Sequence, residues 1–501
     1  MDRLVTLGGA MSAPKPPFEK LYFGKSDPRY EVRASRDHFL RSFVDLEGAV
    51  EKVHAGDLTL ILGPKGTGKS ALALYLEETS GPESRRFAKV KTAENLPLDE
   101  IPKLETGQSS GVQRTRTAWT FILLANYLDV VLEDKLTSFR GITAAKGAMK
   151  AIRQAGFVST AAGQRLMQMQ DVRMSIPAAD LGGAFKKESH KEIGIFTLIP
   201  YMLEWATAAE SVNRHILLLD GLDSVFLNDS RYDDSLAGLT EASTDINNHL
   251  SAAGSTGSIV PLLRNDIFSR VSLLYPDAHK MRDFALDLDW RVLSGQAGER
   301  GPLWNLINSK ARLAFPDAQS VRILEYFPRE IRQPRGRSID RLQYLLNLTR
   351  HTPRDLLQLM EYIRLAHVQA GAPSGPLSPD VIREGVLQYS TKYFVDAVKG
   401  EFAGYRGGAE EVSAALHALK VLPGRTFSRT DYYNALRRSS PGLQEKCEEF
   451  LRMLFFAGAL GNQFGTGGKR YLVFYHRRDD TSLSLQGTLI LHNALAHAWS
   501  K

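Results

Sequence analysis

Eight residues constrain this chain more than any others: Gly63-Pro64-Lys65-Gly66-Thr67-Gly68-Lys69-Ser70. They follow the run DLTLIL, Asp57 to Leu62, whose apolar end and glycine stop predict a buried strand. They precede Ala71, Leu72, Leu74 and Leu76, an apolar series that predicts a helix. A glycine-rich loop between strand and helix turns successive backbone N–H groups toward one point at a helix N-terminus, where the peptide dipoles favour an anion.

The spacing satisfies the Walker A pattern in full. Residues Gly63 to Ser70, with Ala71 behind them, are expected to bind a nucleoside triphosphate, ATP with Mg²⁺. Lys69 would reach the β- and γ-phosphates, and the Ser70 hydroxyl would ligate the metal. A second buried strand is expected at Ile216-Leu217-Leu218-Leu219, ending in Asp220. A carboxylate at the C-terminal end of a parallel strand faces the phosphate loop and can hold Mg²⁺, directly or through water; alone, Asp220 would equally read as a helix cap.

Three further residues are candidates, each with a plainer alternative. Asp223, three positions on, can orient the attacking water or act as its base, or cap the following helix. Arg264 ends a third apolar segment, SIVPLLR, and can contact the γ-phosphate from the same sheet edge, or pair with Asp266. Arg354 opens the helix of Thr352-Pro353-Arg354-Asp355-Leu356-Leu357, where proline fixes the first turn. It can reach a nucleotide from a lid, or remain a solvent-exposed helix residue.

The single cysteine, Cys447, excludes an intramolecular disulfide and most zinc sites, and fits a reducing cytoplasm. No stretch of about 18 apolar residues offers a membrane span. The N-terminal segment lacks the apolar core of a secretory signal. The net charge of +7 is scattered among acids and implies no nucleic-acid footprint by itself.

The expected fold is α/β, a P-loop NTPase with a parallel sheet covered by helices on both faces, followed by a helical lid and a C-terminal winged helix. Residues 1–34 read as a loose lead-in and 35–285 as the ATPase core. The core begins with one amphipathic helix over about 35–55 and carries a helical insertion over about 91–190. Helices are expected from Ala118 to about Leu136, from about Ile193 to Val212 and from Asp233 to Ser251. The lid spans 286–370, an Ala-Gly-Pro-Ser linker 370–378, and the winged helix 378–501. Its hairpin runs Ala459–Phe464, a glycine turn, and Arg470–Tyr475.

Taken together, the Walker A segment, the hhhhDGLD run, the strand-terminal arginine and the TPRDLL helix resemble the STAND branch of AAA+-related (ASCE) P-loop ATPases. Similarity is greatest to bacterial stand-alone members. Phe23-Gly24-Lys25-Ser26-Asp27, Arg264-Asn265-Asp266-Ile267-Phe268 and Gly461-Asn462 carry further likeness. The resemblance implies that Lys69, Ser70, Asp220 and Arg264 are phosphate lysine, Mg²⁺ ligands and first sensor, with Arg354 a lid sensor. Three positions depart from the family: Gly221 and Ser224 stand where acids are common, and His351 where the lid motif has glycine. Hydrolysis is therefore expected to be slow, or to rest on Asp223.

The implied function is a switch between ATP and ADP forms, acting through a homo-oligomer or a separate effector protein, as STAND-like proteins do in bacterial defence or signalling. The alternative is a DNA-binding ATPase of the origin-loader kind. Against it, the third helix of the winged fold, Gln444–Arg452, carries three acids and two bases. Bases cluster instead at Arg437-Arg438, Lys469-Arg470 and Arg477-Arg478.

Overall fold

The computed structural model describes residues 15–93, 96, 112–158, 173–177, 190–222, 231–274, 278–291, 298–315, 321–333, 338–371, 375–402, 405, 407–466, 469–477 and 481–501. The chain forms two compact units. One comprises Asp45–Asp289 with Ala403–Val412; the other comprises Met1–Val44, Trp290–Phe402 and Ser413–Lys501.

The first unit is built on a parallel sheet of β1 (Leu60–Leu62), β2 (Arg86–Thr92), β5 (Arg214–Asp220), β6 (Ser258–Leu263) and β7 (Ala285–Asp287). The order is β2-β5-β6-β1-β7, so β6 lies between the strand that feeds the glycine loop and the strand that ends in Asp220. The register places Leu62 beside Leu263 and Leu219 beside Pro261. A separate antiparallel pair joins β3 (Arg173–Pro177) and β4 (His190–Gly194).

Because strand side chains alternate, the sheet has two buried faces. Leu60, Leu62, Leu217, Leu219, Ile259 and Leu263 share one core with the helices Val112–Glu133 and Arg231–Ala252. Ile61, Ile216, Leu218, Val260 and Leu262 are buried on the other face. Central strands covered on both sides read as continuous apolar runs, which is why LTLIL and HILLL were legible.

Within the segment 91–190, expected as a helical insertion, helix Val112–Glu133 packs into the core of the first unit. Trp119, Phe121, Ile122, Leu124, Tyr127, Leu128 and Val131 are completely buried, which marks a helix at the centre of the fold. It lies tightly on Arg231–Ala252: Trp119 Nε1 donates to Ser235 Oγ at 3.1 Å, and Thr115 Oγ1 to the Asp234 carbonyl at 2.8 Å. β2 supplies an edge strand of the main sheet. The helix expected from about Ile193 is shorter, Ile199–Ala208, because the chain is still strand to Gly194 and Pro200 sits in the first helical turn.

The second unit corrects two other expectations. The lead-in is not loose where it is described: Phe18, Leu21 and Phe23 are buried, and Tyr326 Oη donates to the Pro16 carbonyl at 2.7 Å. Helix Pro28–Ser42 is capped by Asp27, and its buried Glu31 meets Lys310 Nζ at 2.6 Å. Nor is 35–55 one helix. Phe43 is extended and Glu47 and Gly48 are left-handed, so a new helix, Ala49–Ala55, starts in the other unit.

The expected boundary at 370–378 falls inside this second unit. Helices Pro353–Gln369 and Pro379–Tyr389 pack so closely that a Cβ on Gly385 would lie 2.5 Å from the Ile363 Cα. The unit also holds a short antiparallel pair, β8 (Glu330–Arg332) and β9 (Ser338–Asp340). Its C-terminal part has helices Arg429–Ser439 and Cys447–Phe456 and a sheet of order β10-β13-β11-β12. The strands are β10 (Thr426–Phe427), β11 (Leu460–Thr466), β12 (Lys469–Val473) and β13 (Thr488–Leu491). The β11–β12 hairpin pairs Phe464 with Tyr471, and β13 had no counterpart in the sequence reading. Asn462 is buried and exchanges hydrogen bonds with the backbone of Ser484, which pins the segment leading to β13.

Candidate functional site

The C-terminal edge of the parallel sheet carries the candidate residues of the first unit. β1 ends at Leu62 and the loop turns directly into helix Lys69–Glu78. Gly66 and Gly68 have φ of 84° and 95°, values at which a side chain is strained. Gly68 is the N-cap of the helix and offers it no side-chain cap. The first-turn N–H groups therefore face the loop with the helix dipole behind them.

Inside the loop, Lys69 Nζ donates to the carbonyls of Gly63 at 2.8 Å and Pro64 at 3.2 Å, and Thr67 Oγ1 donates to the Pro64 carbonyl at 2.8 Å. Lys69 is only 7% exposed and Thr67 3%. A cation held in a nearly closed nest by neutral carbonyls, at an uncapped helix terminus, is a donor set suited to phosphate oxygens. Ser70 and Ala71 follow in the first turn, both half-buried.

Strand register places the partners. Leu62 and Leu263 are level, so Arg264 leaves β6 level with Gly63 as it leaves β1. Asp220 closes β5, paired with Thr92 of β2, and is half-buried at the same edge. The structure thus brings Gly63–Ala71, Asp220 and Arg264 to one sheet edge. Arg264 makes the ion pair foreseen as its plainer role: Nε and Nη2 each lie 2.9 Å from an Asp266 oxygen. A largely buried guanidinium held in a fork is a fixed cation, which is what a phosphate contact also requires.

Gly221, where the resembled family often has an acid, has φ 75°. Its backbone departs from the strand in a conformation that glycine accepts without strain. Asp223 lies outside the described residues. Arg354 belongs to the second unit, where its Nε donates to the Ser26 carbonyl at 3.2 Å.

Two residues at this edge were missed. Asn265 Nδ2 donates to Asp287 Oδ1 at 3.1 Å, joining the start of helix Asn265–Leu274 to the end of β7. β7 buries only Leu286 of its three residues and offers no apolar run like that of β1, and so Asp287 was invisible. Among the described residues no cluster of three His, Cys, Asp or Glu could hold a metal. Ser70 and Asp220 are the residues at this edge that could ligate Mg²⁺, which beside nucleotides takes one or two protein oxygens with phosphate oxygens and water. No helix among the described residues is long and apolar enough to cross a membrane.

No family model matches the chain, and no curated protein matches it. Among solved structures it is similar to the Aeropyrum pernix ORC2 protein, determined in ADPNP-ADP complexes, with 12% identity and a TM-score of 0.36 over 88% of this chain and 94% of that chain. A likeness of that depth decides neither fold nor function.

Proposed function

We propose that this chain is an ATP-binding P-loop ATPase of the AAA+-related class that works as a nucleotide-controlled switch. The observation that carries the reading is the buried Lys69 ammonium, folded into a glycine loop at an uncapped helix N-terminus. Asp220 and Arg264 at the same sheet edge supply the remaining chemistry. Lys69 and the loop N–H groups would bind and orient the β- and γ-phosphates, and Ser70 and Asp220 would hold Mg²⁺. The metal neutralises charge on the phosphate oxygens. Arg264, fixed by Asp266, would complete the positive surround, and Asp223 would orient water. With Gly221 following Asp220, turnover is expected to be slow.

The STAND assignment, the lid role of Arg354 and the winged-helix reading of the C-terminal part belong to this proposal. The partner is a second copy of the chain or a separate effector protein. Exposed Glu445, Glu448 and Glu449 favour a protein over DNA at the helix that would read bases. The origin-loader alternative keeps one supporting observation, the exposed pair Arg437 and Arg438 at the end of helix Arg429–Ser439. Sizing the full chain with ADP and with a non-hydrolysable ATP analogue tests the switch. A change in assembly or hydrodynamic radius is expected, and identical profiles with both nucleotides bound would refute it.

A further inference from the structure

Strand β12 is the outer edge of the C-terminal sheet: in the order β10-β13-β11-β12 it pairs with β11 and, among the described residues, with nothing on its other side. Edge strands ordinarily discourage further pairing with a proline, a bulge or a charge in mid-strand. The middle of β12 has none of these. Its two bases, Lys469 and Arg470, stand at one end, and the rest is Tyr471-Leu472-Val473. Tyr471 is 53% exposed, Leu472 36%, and Phe464, opposite Tyr471 on β11, 42%.

The ladder shows which backbone groups face outward. The His492 N–H donates to the Ala459 carbonyl at 2.9 Å, one step beyond the pair Leu460–Leu491 and in register with it. Hydrogen bonding alternates along an antiparallel strand, so Gly461 and Gln463 bond toward β13, and Asn462, Phe464 and Thr466 toward β12. Their partners Val473, Tyr471 and Lys469 are thereby turned inward. Arg470 and Leu472 present their N–H and C=O groups to the open edge.

A second copy related by a two-fold axis offers the same two residues in return, and few registers let them meet. Centred on Arg470, the pairing sets that arginine against its own counterpart, and like charges directly opposite repel. Centred on Leu472, it carries Arg470 past the end of β12 to the buried Phe474, and the leucines alone pair. Centred on Tyr471, Arg470 and Leu472 of each copy meet Leu472 and Arg470 of the other. Every outward group is then used, and Lys469 faces Val473 rather than a base. The same register sets the two Tyr471 residues opposite each other in a non-hydrogen-bonded pair, where side chains approach most closely. Phe464, Tyr471 and their counterparts then form one row of aromatics across a single face.

We propose that β12 is a dimerisation edge, through which two copies of this chain pair antiparallel about Tyr471 and join their C-terminal sheets into one. The contact is isologous and closes on itself, so it stops at two copies. It uses no residue of the glycine loop, nor Asp220 or Arg264. The strand is short, so the association is of the weak kind that depends on protein concentration.

The test is sedimentation of the full chain over a range of concentrations, with ADP and separately with a non-hydrolysable ATP analogue. Monomer and dimer in exchange are expected with both. Leu472→Pro deletes an outward N–H from each copy and spares the ladder to β11, and proline is tolerated on an edge strand. The dimer dissociation constant should rise at least about tenfold. Where that variant fails to fold, Leu472→Lys sets a lysine against Arg470 of the second copy, and a rise is again expected. Adding Arg470→Glu to Leu472→Lys places opposite charges at both pairs and should bring the constant back to within about threefold of wild type. A monomer at every concentration overturns the proposal, even if the hairpin then binds duplex DNA or a foreign peptide. So does a dimer indifferent to both Leu472 variants, or one weakened by Leu472→Lys that Arg470→Glu does not restore. Dimerisation that is the same with either nucleotide leaves this proposal standing whatever becomes of the switch, so the two readings fail separately.

Discussion

The ammonium of Lys69 rests 2.8 Å from the carbonyl oxygen of Gly63, the residue that opens the same loop. The contact closes the nest on itself with neutral acceptors, which a phosphate would replace with charged ones. Lys69→Ala removes the buried ammonium while leaving the backbone N–H groups. ATP affinity is expected to fall by about a hundredfold or more, about 2.7 kcal/mol at least, with the fold retained by circular dichroism. Calorimetry giving wild-type affinity for a folded variant would remove the phosphate-loop assignment.

Asp220 separates binding from turnover. Asp220→Asn keeps the strand end and the loop but loses the charge offered to Mg²⁺. Phosphate release should drop by about two orders of magnitude while nucleotide affinity changes by about tenfold or less. Asp223→Asn, measured alongside, should also slow turnover; a wild-type rate would make Asp223 a helix cap and leave the water to another group.

Gly221 stands where the ATPases that the sequence resembles often carry an acid. Its φ of 75° strains any other residue, although the nearest atom to an added Cβ is 3.8 Å away. Gly221→Glu should therefore destabilise the core unit by about 1–2 kcal/mol without raising turnover. Faster phosphate release from that variant would mean that the acid, rather than the backbone turn, decides the rate.

Legibility followed burial. β1, β5 and β6 are covered on both faces, so their apolar runs stood out, and the glycine loop carries its chemistry in the spacing itself. β7 and β10 are three and two residues long and hold no periodicity to detect. Helix Val112–Glu133 was legible as a helix but its packing partners were not, because a mostly apolar helix declares burial without naming its neighbours. The lead-in was misread because its anchor Phe18 packs on residues distant in sequence, Tyr326, Phe327 and His367. Departures from the family read better once φ was known: Gly221 is left-handed and accommodated, His351 left-handed and strained.

The buried histidines predict an acid limb of stability. His476 is held well below its ordinary value by burial first, then by His492, Arg477, His351 and Arg350. His492 is lowered by burial first and by Arg477, against smaller opposing effects of the Thr349 carbonyl and Asp355. Both folded values lie below the unfolded value of 6.5, so the unfolded chain takes up protons first. Their contribution is complete above pH 6.5 and is lost as pH falls below it, by up to about 1.4 kcal/mol per pH unit for each histidine. Urea midpoints for the second unit should decline from pH 6.5 to about 5. His476→Phe, which keeps the ring and deletes the titration, should flatten that slope, and an unaltered slope would place the proton uptake elsewhere.

The last prediction separates the switch from the DNA-binding alternative. Arg437 and Arg438 are exposed, and Lys469 and Arg470 begin β12, the edge strand of the C-terminal sheet. Bases so placed can meet phosphates, which gives binding that is weak, indifferent to sequence and steeply reduced by salt. Base readout by the third helix would need donors presented to a groove, yet Glu445, Glu448 and Glu449 are exposed around the start of helix Cys447–Phe456. One of them, Glu448, already pairs with Arg429 at 2.8 Å. Reversing Arg437, Arg438, Lys469 and Arg470 to Glu should therefore leave ATP turnover near wild type, because none of the four belongs to the unit that carries the glycine loop. Affinity for duplex DNA should be weaker than about 10⁻⁶ M at physiological salt in the wild type, and lower still in the variant. A wild-type dissociation constant tighter than about 10⁻⁸ M, abolished by the four reversals, belongs to a specific DNA binder. That outcome would make the C-terminal hairpin the reading head of the molecule and the nucleotide its loading signal.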